Sequence, residues 1–221
     1  ARPLAITNCI NWGNPEKPEV FWTLARAIDG MAEACRVLET PVISGNVSLY
    51  NESPKGAIFP TPVVGTVGIL ADDVKPMGNK IKQANLRLIL IDAQSTRQSE
   101  GLDGIGGSYY LSEYRTLERG LPPMVDLAAE HRLLRFLEGV AKAGIAQTCH
   151  DISDGGLLVS LLEMVVDTPF GFSVENLPAL SRLDRQLFGE HAGWVMLAID
   201  AQHRDQLTAM ALASGLTLTD L

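Results

Sequence analysis

The sequence is short of positive charge: 18 Lys and Arg stand against 26 Asp and Glu, a formal net charge of −8 over 221 residues. That balance argues against a general nucleic-acid binder, which carries a basic patch. A phosphate ligand would therefore have to be met by glycine loops, helix N-termini or a metal rather than by a cationic surface. No apolar run reaches the length of a membrane span, and no basic-plus-apolar leader is present. Three cysteines (Cys9, Cys35, Cys149) are odd in number, widely spaced and set among apolar residues. They exclude a disulfide framework and a CxxC metal site, and fit buried thiols in a reducing, cytoplasmic setting. Four histidines show no HxxxH spacing. What remains is a globular composition, 46% hydrophobic and 20% charged, long enough for one large domain or two small ones.

The first half reads as strand, helix, strand. Leu4 to Cys9 is an apolar strand close to the chain start, and the absence of an initiating Met suggests a fragment. A helix is expected from Pro18 to Glu39, with Pro18 at its first turn and Phe21, Leu24, Ile28, Met31, Cys35 and Leu38 forming the apolar stripe. Thr40-Pro41 ends it, and the next strand runs into Ser44-Gly45-Asn46-Val47-Ser48. A polar Gly-Asn-x-Ser turn at the end of a buried strand is where β-α-β folds place ligands, although Gly-Asn is also common hairpin chemistry. A third strand covers residues 62–70. The polar stretch after it, with Pro76, Gly78 and three lysines, places a domain boundary near residue 82. Asp72-Asp73 within it reads as a solvated turn.

The second half opens with a strand at Leu86 to Asp92. Glycine-rich Gly101 to Ser108 then leads into an expected helix from Tyr109 to Leu117. Such a turn can cradle phosphate on bare N–H groups, but it matches neither the Walker A nor the GxGxxG pattern, and tight packing explains its glycines equally well. A helix from Asp126 to Ala143 and a strand ending at Cys149 precede His150-Asp151-Ile152-Ser153-Asp154-Gly155-Gly156. Here Ser153 or Asp154 is a natural cap for the helix from Leu157 to Val166, and Asp151 with Asp154 would suit Mg²⁺. A strand at Phe172 to Glu175, a short helix near Asp184 to Phe188, a strand at Trp194 to Ile199 and a helix capped by Asp200 complete the pattern, with a last strand from Leu216.

Four segments in this order carry a resemblance: Thr7 to Pro18, Ser44 to Glu52, Gly106-Gly107-Ser108 and His150 to Leu157. Together they resemble the C-terminal half of the large, synthetase subunit of the phosphoribosylformylglycinamidine synthases, in the aminoimidazole ribonucleotide synthetase-like superfamily. The resemblance implies an α/β (α+β) fold of paired domains, truncated at both ends. Residues 1–82 would be a partial N-terminal-type domain of the second synthetase repeat, and 83–221 a C-terminal-type domain. It implies an ATP-dependent amidoligase of de novo purine synthesis, which makes formylglycinamidine ribonucleotide from formylglycinamide ribonucleotide and glutamine-derived ammonia with Mg²⁺. By position, Asn8 and Gly45 would contact ATP, Asn46 would ligate Mg²⁺ and Ser48 would touch substrate, with Asp151 and Asp154 as further candidates. Asn8 stands where relatives often carry aspartate, which argues against direct metal binding there. The family's catalytic histidine has no counterpart here, so no catalytic residue is assigned and this chain alone is expected to be inactive. The implied partners are the N-terminal half of the same subunit, the glutaminase subunit and a small accessory subunit, with no nucleic acid and no membrane. A non-catalytic nucleotide-binding or scaffold half, or another superfamily member such as aminoimidazole ribonucleotide or selenophosphate synthetase, is the alternative.

Overall fold

A computed structural model describes residues 1–94, 104–178, 180 and 182–221. The chain divides into two compact units, Ala1–Ala71 and Asp72–Leu221, so the polar stretch 72–82 belongs with the second. Gly101, Leu102 and Asp103 of the glycine-rich segment lie outside the described residues.

In the first unit, β1 (Arg2–Asn11), α1 (Pro18–Val37) and β2 (Val42–Ser48) form the expected crossover, with β1 and β2 adjacent and parallel. Strand β5 (Thr61–Ile69) pairs antiparallel on the other side of β1, giving the order β2-β1-β5. A two-stranded ribbon, β3 (Glu52–Ser53) with β4 (Gly56–Ala57), lies between β2 and β5 in sequence. The core of this unit is small: Ile10, Trp12 and Leu24 are buried, with Val20, Ala27, Met31 and Leu49 packed on them. The inward face of α1 is thus set by Val20, Leu24, Ala27 and Met31, while Phe21 and Ile28 of the expected stripe are 57% and 45% exposed. Trp12 is the reason for that rotation. Its ring is buried and its indole N–H donates to Thr23 Oγ1 at 2.9 Å, which turns the Thr23–Leu24 side of the helix onto β1. Strands β2 and β5 are exposed nearly throughout, and their valines and isoleucines face open surface.

The second unit is a four-stranded antiparallel sheet in the order β7-β8-β6-β9, from β6 (Arg87–Asp92), β7 (Ala146–Asp151), β8 (Trp194–Ile199) and β9 (Thr217–Asp220). Both central strands are apolar, and alternate residues feed two cores. Ile89, Ile91, Val195 and Leu197 pack with α2 (Leu127–Ala143) and α5 (Arg204–Ala213); Leu90, Trp194 and Met196 pack with α3 (Gly156–Val165). This period-two division is what a strand covered on both faces requires. A short helix, α4 (Leu183–Phe188), precedes β8.

Several local expectations differ from the structure. The helix expected over Tyr109–Leu117 is a single π-helical turn, Tyr110–Tyr114, because Thr116 takes a left-handed φ of 53° and breaks the run. Phe172 to Glu175 forms no strand; β9 occupies the edge beside β6, and Phe172 and Val174 instead pack on the second core. The cap of α3 is Gly155, not Ser153 or Asp154. Asp200 caps nothing with its side chain. Its carboxylate instead accepts from Gln83 Nε2 at 2.8 Å and Gln147 Nε2 at 2.9 Å, tying the entry to β6 and strand β7 together.

Candidate functional site

The parallel register between β1 and β2 sets Asn8 beside Gly45, Cys9 beside Asn46 and Asn11 beside Ser48. Four sequence-derived candidates (Asn8, Gly45, Asn46, Ser48) are therefore brought onto neighbouring strands of one sheet. The closest approach is at Gly45: a Cβ there would lie 2.2 Å from Asn8 Oδ1 and 2.9 Å from its carbonyl oxygen. The asparagine side chain occupies the space that glycine leaves, so a larger residue at 45 displaces Asn8.

Asn46 is exposed, and its Nδ2 faces Cys9 Sγ at 3.8 Å; Asn11 Nδ2 faces the same sulfur at 3.5 Å. With the amide nitrogen of Asn46 turned to the thiol, its Oδ1 is the oxygen presented away from it. Ser48 is half-buried and its hydroxyl is held by Asn51, with Ser48 Oγ to Asn51 Oδ1 at 3.2 Å and Asn51 Nδ2 to Ser48 Oγ at 3.1 Å. Asn51 also donates to the carbonyls of Trp12 at 3.0 Å and Ser48 at 2.9 Å.

This bracing joins the two segments that stood out in the sequence. Glu52 accepts the backbone N–H of Asn14 at 3.0 Å and pairs with Lys17 at 2.8 Å, and Tyr50 Oη donates to Glu16 Oε1 at 3.3 Å. The Lys17 ammonium beside Glu52 holds that carboxyl below its ordinary pKa, helped by the Asn14 N–H. Lys17, Asn51 and Glu52 were not singled out from the sequence. The signal available was their position within the two dense polar segments, which is weak without knowledge that the segments meet.

The candidates of the second unit are differently placed. Asp151 ends β7 with its side chain 74% exposed, and Asp154 is exposed in the following turn. The buried member of this cluster is His150, 7% exposed, whose Nδ1 lies 2.7 Å from the Asp151 carbonyl and whose Nε2 lies 3.4 Å from Glu163. Ser160 Oγ donates to the same carbonyl at 3.1 Å, so this strand end is braced by backbone contacts. Beneath it the Cys149 thiol is pushed up to about 11 by burial, with the nearby Asp151 charge adding to the effect. A hollow of about 550 Å³ elsewhere in this unit is lined by residues such as Arg87, Met164, Phe170 and Asp220, and none of the six candidates borders it.

Among the described residues no three His, Cys, Asp or Glu side chains gather as a metal centre. The donor set fits Mg²⁺ only as a partial wall. Asn46 supplies a neutral amide oxygen, which suits a hard cation, while the balancing negative charge has to come from phosphate oxygens or other carboxylates. Among the described residues no helix is long and apolar enough to cross a membrane.

Comparison with known proteins follows this division. Residues 1–70 match the family model "AIR synthase related protein, N-terminal domain", and 84–220 match "AIR synthase related protein, C-terminal domain". Phosphoribosylformylglycinamidine synthase subunit PurL of Moorella thermoacetica is 44% identical over 97% of this chain and 28% of its own length. The Thermomicrobium roseum protein of the same name is 43% identical over 100% of this chain and 30% of its own. The chain thus spans less than a third of these relatives. Among solved structures, T. maritima PurL complexed with ATP covers this whole chain and 33% of its own at 16% identity and TM-score 0.69. E. coli HypE, a hydrogenase maturation protein, covers 96% of this chain and 64% of its own at 17% identity and TM-score 0.66. The expected fold class agrees with both likenesses. The chain belongs to the AIR synthase related protein family and carries that family's N-terminal and C-terminal domains in order.

Proposed function

We propose that this chain is part of a phosphoribosylformylglycinamidine synthase, contributing one wall of the site at which ATP activates the amide oxygen of formylglycinamide ribonucleotide. The observation that carries this reading is the 44% identity to a protein of that name over 97% of the chain. The geometry supports it: Gly45 lets the Asn8 side chain close onto the β2 backbone, which fixes Asn8 on the strand next to it, and Asn46 presents an amide oxygen beside them. In this reading Asn8 and Gly45 contact ATP, Asn46 ligates Mg²⁺ and Ser48 contacts the substrate. Bound Mg²⁺ would neutralise phosphate charge as the phosphoryl group moves. T. maritima PurL has been solved complexed with ATP and with FGAR, which supports nucleotide and substrate as ligands of the same kind here. The ammonia comes from glutamine through a glutaminase subunit; a PurLQS structure from Thermotoga maritima supports partner subunits of this sort. The remaining wall, with the catalytic groups, belongs to the N-terminal half of the subunit, and the setting is cytoplasmic.

The test is Asn46→Ala in the whole synthase. Loss of a Mg²⁺-borne contact is expected to lower kcat/KM by about a hundredfold with thermal stability intact. Unaltered kinetics would favour a scaffold role for this half. The 221-residue chain by itself is expected to show no ATP-dependent turnover, and measurable amidine formation by it would refute that.

A further inference from the structure

Two glycine-rich turns of the second unit are distant in sequence and meet at one carboxylate. Glu190 Oε1 accepts the backbone N–H of Tyr109, which follows the turn 104–108, at 2.8 Å. The same oxygen accepts the backbone N–H of Gly155, in the turn that opens α3, at 2.9 Å.

The second of these bonds answers a local deficit. Gly155 is the N-cap of α3 and has no side chain to offer. In a capping box, an acidic or amide side chain at the third helical position returns to the N–H of the cap residue. Here that position is Leu158, which cannot do so, and the role passes to a carboxylate 35 residues downstream. Its negative charge also sits favourably at the start of the helix.

The chain around Glu190 is built to present it to both turns. Phe188 stacks on Tyr110 with ring centroids 4.8 Å apart and planes 5° apart. The Phe188 backbone would lie 2.6 Å from a Cβ on Gly156, so it rests directly on the second turn. Gly189 is buried, and a Cβ there would meet the Arg185 carbonyl at 2.6 Å, which leaves room only for a tight reversal.

We propose that Glu190 is a clasp that makes the two turns a single cooperative unit, so that they open together and only on release of this carboxylate. Both amides depend on the same oxygen atom, so removing it leaves two donors unsatisfied at once. The device stands apart from the proposed function and does not rest on it.

Hydrogen exchange read by mass spectrometry on the full chain tests it with Glu190→Ala and Glu190→Gln. In the Ala variant, exchange over 104–114 and over 153–160 is expected to quicken together by about tenfold or more, with β8 unchanged. The Gln variant keeps an oxygen acceptor without the charge, and its rates should fall between wild type and Ala in both segments. Unchanged exchange, or acceleration in one turn only, overturns the clasp. If the Ala variant loosens β8 as well, the Gln variant decides. Joint acceleration of the two turns over a native β8 upholds the proposal, and any other pattern refutes it.

Discussion

At the scale of single residues the candidate site turns on what glycine omits. Gly45→Ala would drive a methyl to 2.2 Å from Asn8 Oδ1, so Asn8 must turn away or the strands must part. Overpacking of this kind costs about 1–3 kcal/mol. On the proposed function, the expected result in the longer protein is a lowered Tm together with a raised KM for ATP, a pair of effects that thermal melting and steady-state kinetics separate. Had Asn8 no part in the site, Tm would fall with KM unmoved. The sequence brought Gly45 and Asn46 to notice through a polar run after an apolar strand, and the register of β1 against β2 then set Asn8 beside Gly45. The roles of Asn51 and Lys17 are not legible in the sequence, because their partners, Trp12 O and Glu52, lie 39 and 35 residues away. The thiols expected to be buried are only half-buried, and one of them gives a further residue-level expectation. With its pKa raised to about 11 by burial, Cys149 stays protonated at pH 8, and its alkylation by iodoacetamide should run more than about tenfold slower than that of a free thiol.

At the scale of elements, helix starts were the least legible features. Ser153 and Asp154 are good cap residues by type, yet α3 begins at Gly155 and Gly156, both at positive φ, 79° and 76°. The cause is tertiary: the backbone of Phe188 presses on Gly156 at a distance that no Cβ tolerates. Gly156→Ala should therefore cost about 1–3 kcal/mol from strain and more from the clash, read as a lowered Tm. A melting point equal to wild type would mean that α4 yields easily. The other end of this unit is held by charge. Arg204, at the start of α5, donates to Asp220 at the end of β9 through Nε at 3.0 Å and Nη2 at 2.7 Å. The guanidinium hydrogen bond holds the Asp220 carboxyl below its ordinary pKa. A depressed carboxyl contributes stability that is complete above its unfolded pKa and fades as pH falls through the folded value. The pair is partly exposed, so its worth is about 0.2–1 kcal/mol. Asp220→Asn should lower Tm slightly at neutral pH and meet the wild-type curve in strong acid; a constant offset at every pH would assign the effect to packing instead.

At the scale of the whole molecule, the first unit leaves much apolar surface uncovered. Ile43, Val47, Val63, Val67 and Ile69 are each more than half exposed, on strands where such residues usually meet a second layer. Ile58 and Phe59 add to this surface just ahead of β5. The 221-residue chain is expected to self-associate as concentration rises, and an unchanging monomer in sedimentation at high concentration would contradict this. Composition had no means of showing it, since 46% hydrophobic content is ordinary. What makes it visible is the fold: a single helix, α1, covers a sheet of three strands, and only one of its residues, Leu24, is buried.

By itself the sequence determined the alternation of strands and helices, the β1-α1-β2 unit and the family. These follow from local periodicity and from motifs read in order, and neither needs knowledge of distant contacts. The tertiary structure alone decided which side of α1 faces inward, because Trp12 bonds Thr23. It decided that a glycine starts α3 and that Asp200 braces strands instead of capping a helix. It also decided how Lys17, Asn51 and Glu52 hold the candidate site. In each case the controlling contact joins residues far apart along the chain or depends on space that only packing defines, and neither distance nor space is written in the local pattern.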